Sequence, residues 1–127
     1  MDNNKKKILV IDDESDLVEM LSIRLEANNY RVIAASDGQE GLDKARAESP
    51  DLIILDLMLP KLDGYQVCRM LKSDEKYKQI PIVIFTARAQ ESDVKAGMDA
   101  GADAYITKPF DPAILLGKVS QLLEEKP

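Results

Sequence analysis

The sequence contains no histidine and no tryptophan, and it has a single cysteine, Cys68. Without histidine, these residues cannot form a Ser/His/Asp triad, a histidine-liganded metal site or a phosphohistidine. A lone cysteine cannot form a disulfide within the chain, and we interpret Cys68 as a small buried hydrophobic residue. The chemistry open to this sequence is therefore that of carboxylates, hydroxyls and lysines.

Long apolar runs are also missing. No stretch approaches the roughly 18 apolar residues of a membrane span, and the first residues lack the apolar core of a signal peptide. The formal charge is −6, and the run of three lysines at 5–7 is too short to form a phosphate-binding face. We expect a cytoplasmic protein that neither enters a membrane nor binds nucleic acid directly.

The length and composition are those of one globular domain. The chain has 127 residues, of which 45% are hydrophobic and 31% are charged, so it is long enough to bury a core and too short for two domains. We predict a single domain over 1–127, with flexible tails at 1–5 and 125–127.

Short β-branched runs alternate with longer amphipathic stretches along the chain. In the first such stretch, Leu17, Leu21 and Leu25 form an apolar stripe at helical spacing. Alternating strands and helices without the length for a closed barrel predict an open, doubly wound α/β sheet of parallel strands, in the order 2-1-3-4-5, with helices on both faces. The five predicted strands are KILVID, YRVIAAS, DLIILDL, PIVIFTA and ADAYITK.

Acidic residues end two of these strands. The first strand ends in Asp12 and Asp13 and the third ends in Asp56, and these strands are expected to be neighbours. Three converging carboxylates repel one another and need a cation, and an all-oxygen donor set suits Mg²⁺. Glu14 and Asp16 have a different interpretation, because acidic residues are favoured in the first turn of a helix. The sequence thus predicts a magnesium site at the carboxyl edge of the sheet.

A hydroxyl and an ammonium group are expected at the same edge. Thr86 is near the end of the fourth strand, and Lys108 is at the end of the fifth. A lysine there is a natural counter-ion for a phosphoryl group, although a solvated surface lysine is the commoner case. The following Pro109 favours the inward position, because it restricts the backbone of Lys108 to extended geometry.

With these elements in order, the sequence resembles the receiver domain of bacterial two-component response regulators, such as the chemotaxis regulators. The resemblance covers essentially the whole chain, and it implies a flavodoxin-like (βα)5 fold of three layers. The motifs that carry it are VIDDESD, DLIILDLMLPKLDG, PIVIFTARA and GADAYITKPF.

The resemblance implies a function and a metal site. Asp56 would accept a phosphoryl group from a phosphohistidine on a sensor histidine kinase or phosphotransfer protein. Asp13, Asp56 and the backbone carbonyl of Met58 would hold Mg²⁺, which Mn²⁺ is expected to be able to replace, and Asp12 would act largely through water. The protein would be a signalling module, catalysing only its own phosphorylation and dephosphorylation, and not a general enzyme.

The resemblance also implies a switch. Lys108 would pair with the phosphoryl group and the Thr86 hydroxyl would move to it, changing the surface of the fourth helix, fifth strand and fifth helix. Tyr105 matches the family's switch aromatic, but a half-buried tyrosine on an edge strand is an equal alternative. Met58 and Arg88 flank the expected path of attacking water, and we predict that they prolong the phosphorylated state.

The acidic motifs also fit other interpretations. A Mg²⁺-dependent phosphohydrolase of the haloacid dehalogenase or topoisomerase-primase type also gathers carboxylates at strand ends, but the expected Asp-x-Asp spacing is absent from both acidic motifs. A non-phosphorylated scaffold is a third possibility.

The chain is either a complete single-domain regulator or part of a longer protein with an output domain or target protein, and either a monomer or a phosphorylation-dependent dimer. Receivers of winged-helix regulators carry charges in the fourth and fifth helices that pair across a dimer. Here the expected fourth helix lacks the usual arginine, and the fifth has only Lys118 as a cation before its tail.

Overall fold

The computed structural model describes residues 5–125. Apart from Lys5 and Glu125, the predicted tails lie outside these residues, and Glu125 is the last residue of the final helix. Strands and helices alternate along the described chain. The strands are β1 (Lys7–Ile11), β2 (Arg31–Ala35), β3 (Leu52–Leu55), β4 (Ile82–Thr86) and β5 (Ala104–Thr107); the helices are α1 (Ser15–Ala27), α2 (Gly38–Glu48), α3 (Gly64–Lys72), α4 (Glu91–Asp99) and α5 (Pro112–Glu125).

The five strands form one parallel sheet in the order β2-β1-β3-β4-β5, which confirms the predicted topology. Strands β1 and β3 are direct neighbours, with Ile11 opposite Leu55. The amide of Asp56 continues this pairing by donating to the carbonyl of Ile11 over 3.0 Å. The residues that follow the two strands, Asp12 and Asp56, are therefore delivered side by side at the carboxyl edge of the sheet.

The hydrophobic core has two halves, one on each face of the sheet. Alternate residues of the central strands enter opposite halves, because successive side chains of a strand point to opposite faces. In β1, Leu9 packs with residues of α2 and α3, whereas Val10 packs with residues of α1 and α5. Strands β1, β3 and β4 are almost entirely buried, and the edge strand β2 is mostly not.

The apolar stripe predicted for the first helix and the predicted state of the cysteine are confirmed. Leu21 and Leu25 of α1 and Leu115 and Val119 of α5 are buried on one face of the sheet. Cys68 of α3 is buried on the other face, and burial raises the pKa of its thiol to about 11. No helix within 5–125 is both long and apolar enough to cross a membrane.

The start of α3 holds the loop after β3 close to the sheet. Asp63 caps this helix, since its carboxylate accepts from the amide of Gln66 while the Gln66 side chain accepts from the amide of Asp63. Gly64 begins the helix, and a Cβ at this position would clash with the carbonyl oxygen of Asp56. Only glycine allows this close approach, which places the first turn of α3 directly behind the acidic cluster.

Candidate functional site

Three carboxylates meet at the carboxyl edge of β1 and β3. One oxygen from each of Asp12, Asp13 and Asp56 can be chosen so that all three lie within 4.8 Å of one another. Asp12 and Asp56 are buried, with 3% and 5% of their surfaces exposed, whereas Asp13 is exposed. Burial raises the pKa of Asp12, and the hydrogen bonds from Lys108 and from the amide of Glu14 oppose this rise.

Lys108 reaches this cluster from the opposite end of the sequence. It follows β5 and precedes Pro109 through a cis peptide bond. Its Nζ atom lies 2.9 Å from Oδ2 of Asp12, 2.8 Å from Oε1 of Glu14 and 3.1 Å from Oδ2 of Asp56. The side chain is largely buried, and Nζ also lies 5.2 Å from the centre of the Phe85 ring. The predicted lysine therefore joins the acidic cluster.

The ammonium group of Lys108 is held in its charged form. Burial disfavours that charge, but hydrogen bonds to Glu14 and Asp12 and the charges of Asp12 and Asp56 outweigh the burial. The pKa of Lys108 consequently lies above its usual value. The site thus holds a permanent cation against the carboxylates.

Thr86 and Tyr105 lie on the neighbouring strands β4 and β5. Thr86 is fully buried, and its Oγ1 accepts a 3.4 Å hydrogen bond from the amide of Arg88. The hydroxyl of Tyr105 donates to the carbonyl of Arg88 over 2.8 Å. Burial, followed by the nearby Tyr65, raises the pKa of Tyr105 to about 12, so the hydroxyl stays protonated as a donor. Both side chains therefore contact the same residue of the β4–α4 loop.

Met58 and Arg88 line a cleft of about 410 Å³ that also includes Asp13. The amide of Met58 donates a 3.2 Å hydrogen bond to Oδ1 of Asp56, and the exposed fraction of the Met58 residue is 55%. The guanidinium of Arg88 lies 3.8 Å from a carboxylate oxygen of Asp93 in α4. The structure brings both residues to the mouth of the site, with Arg88 turned towards α4.

Sequence reasoning missed the contact of Glu14 with Lys108. Glu14 occupies the N-cap position of α1, as its interpretation as a helix-starting residue implies, but its side chain makes no capping hydrogen bond. The carboxylate turns to Lys108 instead. The two residues are 94 positions apart, and the only signal in the sequence is an acidic residue next to the Asp12–Asp13 pair.

The three aspartates suit a small hard cation. Carboxylate oxygens are the donors that Mg²⁺ prefers, and one oxygen from each of the three aspartates lies within 4.8 Å of the others. The buried carboxylates of Asp12 and Asp56 would attract such an ion strongly, because little water is present to screen them. The predicted metal-binding residues are thus brought together, with the backbone of Met58 next to them.

Comparison with known proteins identifies the family. The family model named response regulator receiver domain matches residues 8–120, which include every one of the predicted site residues. The chain belongs to this family of receiver domains.

Two curated relatives of this receiver domain are a transcriptional regulatory protein and a response regulator. It is 49% identical over 118 residues to the alkaline phosphatase synthesis transcriptional regulatory protein PhoP of Bacillus subtilis, a match that covers 93% of this chain and 48% of PhoP. It is 44% identical over 121 residues to the response regulator ArlR of Staphylococcus aureus, covering 95% of this chain and 54% of ArlR. The receiver domain thus spans about half the length of these curated relatives.

Solved structures match the receiver domain over nearly its full length. A response regulator from Chloroflexus aurantiacus superposes with a TM-score of 0.91 at 34% identity, covering 96% of this chain and 100% of the other. The BeF3-activated receiver domain of DrrB superposes with a TM-score of 0.86 at 35% identity, covering 95% and 99%. These likenesses confirm the flavodoxin-like receiver fold and give no support to the phosphohydrolase alternative.

Proposed function

We propose that this receiver domain accepts a phosphoryl group on Asp56 from a phosphohistidine. The observation that carries the proposal is the position of the Asp56 carboxylate, which lies between Asp12, Asp13 and the ammonium group of Lys108. One of its oxygens is fixed by the amide of Met58 and the other by Lys108. An oriented carboxylate beside opposite charge is the arrangement that phosphoryl transfer needs.

The reaction is a displacement at phosphorus. An oxygen of Asp56 bonds to phosphorus while the bond from phosphorus to the imidazole nitrogen breaks. The electron pair of that bond stays on the imidazole, and the product on this chain is an acyl phosphate. Because the 127 residues contain no histidine, the donor histidine lies outside them, on a sensor histidine kinase or a phosphotransfer protein.

Magnesium would be held by Asp13, Asp56 and the carbonyl of Met58, with Asp12 acting largely through water, and Mn²⁺ is expected to be able to replace it. When bound, the ion would neutralise charge on the phosphoryl oxygens. Lys108 would pair with the same group by a charge-assisted hydrogen bond. Asp12 would keep Lys108 in place through their 2.9 Å contact.

Phosphorylation would change the surface formed by α4, β5 and α5. Thr86 and Tyr105 connect the site to this surface, because both contact Arg88 at the start of the β4–α4 loop. A Thr86 hydroxyl drawn to the phosphoryl group would break its contact with the Arg88 amide and change the loop.

The receiver domain would therefore signal and catalyse only its own phosphorylation and dephosphorylation. Its output would pass to an output domain or target protein, in the cytoplasm, as a monomer or a phosphorylation-dependent dimer. Direct binding of nucleic acid by this chain is not expected, because its formal charge is −6.

The test of the acceptor is intact-mass spectrometry after incubation with acetyl phosphate and Mg²⁺. We expect one added phosphoryl group in the parent and none in Asp56→Asn, which has nearly the same shape but is a far weaker nucleophile. The same gain of mass in Asp56→Asn, at another residue, would refute the assignment.

The metal site has its own test. Asp13→Ala removes an exposed carboxylate of the cluster and is expected to abolish both labelling and the rise in thermal stability that Mg²⁺ produces in the parent. Asp16→Ala is the matched control, because it removes the same charge from the first turn of α1. If both variants lost labelling and Mg²⁺ stabilisation equally, the general negative charge near α1, and not a metal ligand, would be responsible.

A further inference from the structure

The ammonium group of Lys108 has no hydrogen-bonding capacity left. An ammonium has three N–H donors, and three carboxylates lie within hydrogen-bonding distance of Nζ. These carboxylates belong to Asp12, Glu14 and Asp56. A phosphoryl group on Asp56 would bring three more strong acceptor oxygens to Lys108. At least one existing contact must therefore break before Lys108 can bind that group.

The three contacts differ in how easily they break. The Asp12 side chain is 2% exposed, so without Lys108 its charge would lack both water and a partner. The Asp56 carboxylate is 6% exposed and is the proposed acceptor itself, so its phosphorylation frees one N–H of Lys108 and no more. The Glu14 side chain is 61% exposed, so water can replace Lys108 around it. Glu14 is also not among the described carboxylates that are grouped closely enough to hold a metal ion.

We propose that Glu14 is a positioning residue that acts through Lys108: it holds the ammonium group before phosphorylation and competes with the phosphoryl group for it. This inference rests on the proposed function, since it needs a phosphoryl group on Asp56. The Glu14–Lys108 contact stabilises only the unphosphorylated state, so losing it favours the phosphorylated one. Glu14 thereby limits both the rate of phosphorylation and the binding of phosphoryl analogues.

The size of the effect follows from the exposure of Glu14. An ion pair with one largely exposed partner has a small net free energy, so removing it is expected to change rates and affinities by about two- to fivefold. Glu14→Gln removes the charge with little change of shape. Glu14→Asp keeps the charge but shortens the side chain by one methylene, which breaks a contact that now spans 2.8 Å. Asp16→Asn is the matched control for charge near α1.

The experiment compares the parent with these three variants at saturating Mg²⁺. It measures the rate of labelling by acetyl phosphate, the Kd for beryllium fluoride and the NMR signal of the Lys108 side chain. We expect Glu14→Gln and Glu14→Asp to label about two- to fivefold faster and to bind beryllium fluoride more tightly by a similar factor. We also expect both to shift the Lys108 signal before any ligand is added, and Asp16→Asn to match the parent in all three measurements.

Two results would overturn the inference while leaving the proposed function intact. One is a parent labelled on Asp56 together with Glu14 variants that match its rate and affinity. The other is a change in Glu14→Gln that Asp16→Asn reproduces, because charge and not contact would then explain it. A parent that neither labels nor binds beryllium fluoride would refute the proposed function and the inference together.

Discussion

The hydroxyl of Tyr105 donates a 2.8 Å hydrogen bond to the carbonyl of Arg88, so β5 is tied to the loop that leads into α4. The amide of the same arginine donates to the buried Oγ1 of Thr86. One residue thus connects the edge of the acidic cluster with the surface of α4 and β5. The ring of Tyr105 also lies against Gly97 of α4, where a Cβ would come within 3.1 Å of it.

This connection predicts how beryllium fluoride changes the amide NMR spectrum. With Mg²⁺ present, we expect shifts at residues 88–108 as well as around the acidic cluster, because Thr86 would leave Arg88 for the bound group. Thr86→Ala should still bind beryllium fluoride but give much smaller shifts in that range, whereas Thr86→Ser keeps the hydroxyl and should resemble the parent. Shifts confined to residues 12–16 in the parent would contradict the switch.

The lifetime of the phosphorylated state is predicted to depend on Met58 and Arg88. Hydrolysis needs a water in line with the breaking bond, and neither a thioether nor a guanidinium can act as a general base for it. Both side chains line the cleft beside Asp13. We expect phosphate to be lost several-fold faster from Met58→Asn, which can orient water, and from Arg88→Ala, which opens the path.

The matched control for that experiment is Lys95→Ala, which removes an exposed cation of α4. Its decay should equal that of the parent when phosphate release is followed after removal of the donor. Unchanged or slower decay in Met58→Asn, Arg88→Ala and the double variant would show that these side chains do not control access of water.

Two helical glycines should respond oppositely to alanine. A Cβ added at Gly117 of α5 would meet nothing within 4 Å, so Gly117→Ala should raise the free energy of unfolding by about 1 kcal/mol through helix propensity. At Gly97 a Cβ would lie 2.8 Å from Cδ1 of Ile84, so Gly97→Ala should lower it by about 1–3 kcal/mol. Urea denaturation measures both, and equal effects would contradict the packing described for α4.

Glu40 predicts a pH dependence of stability. The amide of Ser36 and the ammonium of Lys44 lower the pKa of this carboxyl from 4.5 to about 2. Folding therefore favours the charged form. The contribution of the charged Glu40 carboxylate to the free energy of unfolding is present above pH 4.5 and is lost as the pH falls from 4.5 towards 2. Since the side chain is 38% exposed, we expect Glu40→Gln to cost only about 0.5 kcal/mol at pH 7.

Denaturation of the parent and Glu40→Gln at pH 7, 5, 4 and 3 checks this expectation. The two free energies of unfolding should converge at the low end of the series. Glu19→Gln, an exposed substitution in α1, is the control for general loss of negative charge. A difference that stays constant from pH 7 to pH 3 would show that the carboxylate charge of Glu40 is not what stabilises the start of α2.

Much of the fold follows from patterns that are local in the sequence. The runs around Val10 and Ile54 are apolar without alternation, and both became central strands buried on both faces. The parallel order with β1 next to β3 then places Asp12 beside Asp56 with no further information. The convergence of the aspartates was predictable because strand direction and register carry side chains at strand ends to one edge.

By itself, the sequence determined the α/β class, the strand order, the acidic cluster and the family, because periodicity, strand ends and motif order are properties of the linear chain. Only the tertiary structure decided that Glu14 contacts Lys108, that Tyr105 bonds to the Arg88 carbonyl and that Arg88 turns towards Asp93. The physical reason is that each of these contacts is set by a side-chain rotamer and a loop path. Such choices depend on neighbours that meet only after the sheet and its helices have packed together.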